Sequence, residues 1–105
     1  MTSFVLPITQ DLTLPYADLA RREVLDTINA SLGQVLVLDL SRVACMDTAG
    51  LGVLVGAYKA IKARGGVICL QGVQPRVMEV LKATRLDLVF DIVAAQAPAR
   101  AAGSA

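Results

Sequence analysis

Apolar and polar residues fall in blocks along this chain, and each block has its own period. Gln34-Val-Leu-Val-Leu-Asp-Leu40 is nearly continuous in branched apolar residues, which predicts a central strand covered on both faces. Val67-Ile-Cys-Leu-Gln71 predicts a second strand. Phe4-Val-Leu-Pro-Ile8 is interrupted by Pro7, which has no N–H for a ladder, so it predicts a short edge strand. Leu88-Val-Phe-Asp-Ile-Val93 predicts a last strand, or a strand followed by a turn. Between these runs the spacing becomes helical. Over 16–31, Ala17, Leu19, Ala20, Val24, Leu25 and Ile28 line one side, with Asp18, Arg21, Arg22 and Asp26 mainly on the other. Over 49–64 the apolar stripe is Leu51, Leu54, Val55, Tyr58 and Ile61. After Pro75 it is Val77, Val80 and Leu81, with Arg76, Glu79 and Lys82 outward. Pro15 and Pro75 suit first helical turns, and Gly33 and Gly65-Gly66 suit helix ends.

Strands alternating with helices predict an α/β fold, a small mixed and mostly parallel sheet with helices packed on it. The chain of 105 residues is sized for one domain. That domain is expected over 1–93. The Ala-rich stretch 94–105, with Pro98 and Gly103 and no bulky residue, is expected to be a flexible tail.

Composition narrows the function. The aromatic share is only 4%, so the core must be built of Val, Leu, Ile and Ala. A net charge of +1 supplies no field for phosphate-driven nucleic-acid binding, so no nucleic-acid partner is expected. No run is long and apolar enough to span a bilayer and no basic-then-apolar leader opens the chain, so a cytoplasmic location without membrane insertion is expected. Cys45 and Cys69 sit in apolar contexts without a CxxC pair or any His, which reads as two buried reduced thiols rather than a disulfide or a metal site. The lack of His also removes the commonest general base. No Ser/His/Asp or Cys/His set remains, so no enzyme activity and no cofactor are expected.

The chemistry concentrates in Asp47-Thr-Ala-Gly50, after a strand and at a helix start. In open α/β sheets this is where functional crevices lie. Three readings compete. The Asp or Thr can be an N-cap whose oxygen satisfies free N–H groups. The same four residues occur in small GTPases, but the chain has no GxxxxGK[ST] loop to cradle phosphates. The third reading is a phosphoacceptor: a phosphate on Thr48 would lie at the positive end of a helix and beside the charge of Asp47. Gly52 and Gly56 are each unfavourable in a helix, which calls for close packing or for a backbone surface left bare for a partner.

Met46-Asp-Thr-Ala-Gly-Leu-Gly-Val-Leu-Val-Gly-Ala-Tyr-Lys-Ala-Ile-Lys-Ala-Arg-Gly-Gly66 resembles the central motif of STAS domains, in particular the bacterial anti-sigma factor antagonists. Those read Asp-Ser-Ser/Thr-Gly-Leu-Gly, then a helix and Gly-Gly. Val37-Leu-Asp-Leu40 before it and Leu70-Gln-Gly-Val73 after it also fit, and 77–90 takes the place of the family's third helix. The resemblance implies a regulator that binds an anti-sigma factor serine/threonine kinase of the GHKL type and so frees a sigma factor. The kinase phosphorylates the hydroxyl after the motif Asp, which matches Thr48, and a PP2C-type phosphatase reverses this. Ala49 replaces the second motif hydroxyl, leaving one acceptor. The family commonly has Gly-Glu-Leu-Asp entering the first helix. Here the stretch is Gln10-Asp-Leu-Thr13, with Thr13 where the Asp falls.

The partner-binding set expected on this basis is Thr13, Asp47, Thr48, Ala49, Gly50, Leu51, Gly52 and Val55. The assembly expected is a monomer or weak dimer. A second STAS role stays open. STAS subunits of bacterial lipid-transport ABC complexes also carry an Asp-Leu-Ser-Arg-Val stretch, as at 39–43, and there the Thr contacts the ATPase.

Overall fold

The computed structural model describes residues 3–31 and 35–93. The order is β1 (Ser3–Pro7), α1 (Leu14–Ser31), β2 (Val35–Asp39), α2 (Thr48–Ala63), β3 (Val67–Gln71), α3 (Pro75–Ala83), a 3-10 turn (Leu86–Leu88) and β4 (Asp91–Ile92). The four strands pair in chain order, β1-β2-β3-β4, and every pair is parallel. Crossovers of the usual right hand between successive parallel neighbours put the connecting helices on one face, in keeping with the single core that α1, α2 and α3 share.

Burial follows from that arrangement. Leu36 and Leu38 in β2 and Ile68 and Leu70 in β3 point under the helices and are buried. They meet Ala17, Ala20, Val24 and Ile28 of α1, Val53, Leu54, Ala57 and Ile61 of α2, and Val77 and Leu81 of α3 in one core. Alternate residues Val35, Val37, Val67 and Cys69 point the other way and are half-buried. The expected cover on both faces of the central strand is therefore corrected: β2 alternates between buried and half-buried residues, and the described helices share one core on its buried face.

Other departures are smaller. α1 begins at Leu14, so Pro15 is its second residue, where a missing N–H costs nothing. Leu19 is 54% exposed and lies off the core stripe. In α2 the buried line is Gly50, Val53, Leu54, Ala57 and Ile61, while Leu51, Val55 and Tyr58 are half-buried at its margin. Residues 88–90 are not strand. Phe90 instead turns inward, 4% exposed, and meets Tyr58 edge-on with ring centroids 5.7 Å apart. Both thiols are free and half-buried rather than buried. Gly33 and 94–105 lie outside the described residues. No helix among the described residues is long and apolar enough to cross a membrane.

Candidate functional site at the start of the second helix

The site begins with a strip of chain laid against another. Residues 11–14, on the way into α1, run beside 44–47, on the way into α2. Leu12 donates its N–H to the Cys45 carbonyl at 3.1 Å and accepts the Asp47 N–H at 3.0 Å. This is a parallel bridge between Leu12 and Met46 outside the main sheet. Gly50 is packed on the same strip. A Cβ at this position would sit 2.0 Å from the Leu12 carbonyl oxygen, so only glycine fits.

Asp47 is the N-cap of α2. Its Oδ1 accepts the N–H groups of Ala49 at 2.9 Å and Gly50 at 3.2 Å. Its Oδ2 accepts the N–H of Leu14, the first residue of α1, at 2.9 Å. One carboxylate thus satisfies free donors at the starts of two helices. These hydrogen bonds, the one from Leu14 foremost, hold its pKa below the ordinary 3.8 against a smaller opposing effect of desolvation.

The capping reading therefore belongs to Asp47, and Thr48 becomes the first residue of the helix. Thr48 is exposed, and its hydroxyl has no hydrogen-bond partner among the described residues. One and two turns further along the same face come Gly52 and Gly56, both exposed, with nothing within 4 Å of where a Cβ would stand. Close packing on the sheet thus does not explain them. At the margins of that face, Ala49, Leu51 and Val55 are half-buried. Thr13 immediately precedes Leu14, half-buried, with its carbonyl accepting the Tyr16 N–H at 2.9 Å.

Of the residues singled out in sequence, Thr13 and the turn at 47–50 are brought together by the Leu14–Asp47 hydrogen bond, and Leu51, Gly52 and Val55 follow along α2 as far as its middle. Missed there was Asp11, whose Oδ1 accepts the N–H groups of Ala44 at 2.9 Å and Cys45 at 3.3 Å. Its partners are 33 and 34 positions away, and no local pattern marks them. Among the described residues no group of three or more His, Cys, Asp or Glu is arranged to hold a metal.

The family model for the STAS domain matches residues 2–98. The chain belongs to the STAS family. An anti-sigma-B factor antagonist of Listeria monocytogenes is 35% identical over 71 residues, covering 68% of this chain. The aligned stretch spans only 62% of that relative's length. Among solved structures, a putative anti-sigma factor antagonist from Thermotoga maritima superposes with a TM-score of 0.78 at 31% identity, covering 86% of this chain and 77% of its own. The anti-sigma factor antagonist SpoIIAA in its unphosphorylated form superposes with a TM-score of 0.67 at 18% identity, covering 90% of this chain and 81% of its own, a likeness of fold. The turn at 47–50 of this chain has a single hydroxyl, that of Thr48.

Proposed function

We propose that this STAS domain is an anti-sigma factor antagonist working as a partner switch. In the unmodified state the turn at 47–50 and the open side of α2 dock on an anti-sigma kinase, which releases the sigma factor that the kinase holds. Phosphorylation of Thr48 by that kinase ends the docking, and a PP2C-type phosphatase restores it. The observation that carries this reading is the exposed, unbonded hydroxyl of Thr48 at the first position of α2, in line with the bare backbone at Gly52 and Gly56. The relatives named as anti-sigma factor antagonists support it.

The electrostatics favour a switch without rearrangement. A phosphate adds about −1.5 to −2 charges, next to the ionised Asp47. The Ala49 and Gly50 N–H groups, which would otherwise welcome the new anion, are already taken by Asp47. The added charge therefore faces outward, into any surface docked on the turn. Desolvating such a charge at an interface is costly, so the docked partner leaves.

The test is binding of the host's anti-sigma kinase by three forms of the chain. Thr48→Ala is expected to bind within about two-fold of the unmodified protein, and Thr48→Asp to bind at least about ten-fold more weakly. Equal binding by the two variants would remove the switch. Incubation with kinase and ATP should label wild type and leave Thr48→Ala unlabelled. Co-purification with a transporter ATPase and permease, with no labelling, would instead place the chain in a lipid-transport complex.

A further inference from the structure

The loop between β2 and α2 leaves the sheet after Asp39, and its last residues, 44–47, are stitched to the strip 11–14. Asp11 makes the first stitches. It receives two consecutive N–H groups, Ala44 and Cys45, on one carboxylate oxygen. Leu12 makes the next pair through its backbone, and Asp47 closes the strip by accepting from Leu14. Carboxylates thus stand at both ends of the strip, facing in opposite directions. Asp47 has an evident local duty as a helix cap. Asp11 has none: it precedes α1, caps nothing, and all its hydrogen bonds among the described residues go to the other strip.

Ala44 is exposed and Cys45 half-buried, so water can replace Asp11 as the acceptor for their N–H groups. Losing the carboxylate therefore removes order more than stability. What it orders is the path of the chain immediately before Asp47 and Thr48. A docking loop held in its bound shape avoids the entropy loss of being ordered on contact.

We infer that Asp11 is a positioning residue of the docking site: by holding the Ala44 and Cys45 amides it sets the turn 47–50 in the form that the partner reads. This rests on the docking role proposed above for that turn. Asp11 touches neither Thr48 nor the open side of α2 in any described hydrogen bond, so its effect is transmitted through the loop.

The experiment compares wild type with Asp11→Ala and Asp11→Asn by amide hydrogen exchange in NMR and by affinity for the purified host anti-sigma kinase. In Asp11→Ala the Ala44 and Cys45 amides should exchange about ten-fold faster, the 47–50 amide resonances should shift, and affinity should fall about ten-fold, while the β2 and β3 amides keep their protection. Asp11→Asn keeps an acceptor oxygen in place and should recover most of both effects, which loss of charge alone would not allow. Wild-type exchange at Ala44 and Cys45 in Asp11→Ala overturns the inference without reference to any partner. So does wild-type kinase affinity in that variant, or an Asp11→Asn no better than Asp11→Ala. If Asp11→Ala does not fold, Asp11→Asn decides alone, and affinity reduced by more than about three-fold counts against the hydrogen-bond role. Failure of the wild type to bind the kinase at all overturns the proposed function instead, and the exchange data still judge the loop.

Discussion

Asp47 divides its two oxygens between helices that are far apart in the chain. Oδ1 serves Ala49 and Gly50 at the start of α2, and Oδ2 serves Leu14 at the start of α1. Its lowered pKa gives this a pH signature. A group whose folded pKa is depressed stabilises fully above its unfolded value, and that contribution fades as pH falls through the folded value. Asp47→Asn should therefore melt below wild type at pH 7, and the gap should close as the pH drops below about 4. Thermal melts of both proteins from pH 7 to pH 2.5 check this. A gap that widened in acid would contradict the assignment. The neighbouring Gly50 makes an opposite kind of demand. With the Leu12 oxygen 2.0 Å from any Cβ, Gly50→Ala must push the two strips apart, at an expected loss of roughly 2–4 kcal/mol. Urea unfolding measures it.

At the scale of the element, α2 is held at both ends. Asp47 caps its start. At its end Gly65 takes φ +76°, donating to the Lys62 carbonyl while Gly66 donates to that of Ile61, the pattern of a Schellman stop. Both ends were legible in sequence, from an Asp before an apolar helix and from Gly65-Gly66 after it. The exposed glycines between them carry a separable prediction. Gly52→Ala and Gly56→Ala meet open space, so each should stabilise the free protein by about 1 kcal/mol. If the side is a docking surface, the same variants should weaken kinase binding, since a methyl group now holds the partner off. Unfolding free energy and affinity measured on the same samples would move in opposite directions. Variants that gained stability and kept full affinity would show that the partner does not dock on this side of α2. Leu54 and Ile61 of the expected α2 stripe are buried, whereas Leu51, Val55 and Tyr58 lie at its margin and Gly50, Val53 and Ala57 take their place in the core. Val, Leu and Tyr lie on adjacent parts of that helix, and apolar spacing cannot say which of them faces the sheet.

For the whole molecule, the decisive feature is a parallel sheet with the described helices sharing one core on one of its faces. Leu38 and Leu70 are fully buried beneath the helices, whereas Val37 and Cys69, one residue earlier in each strand, are half-buried on the opposite face. Leu38→Ala should thus cost about 2–5 kcal/mol. Val37→Thr should change stability by less than about 1 kcal/mol. Denaturant midpoints of the pair distinguish a one-sided sheet from one covered on both faces, for which the two losses would be comparable.

From the sequence alone came the alternation of strand and helix, the positions of the helix stops, and the turn at 47–50 with its lone hydroxyl. Each is a local property, set by residue type and by spacing of four residues or fewer. Three things needed the tertiary structure. Which face of β2 is covered depends on the order in which strands pair, and a continuous apolar run suits either outcome. The division of labour between Asp47 as cap and Thr48 as free hydroxyl depends on one backbone step at the helix start, below the resolution of any pattern. The role of Asp11 depends on a contact across 33 residues, brought about when two chain segments entering different helices are laid side by side.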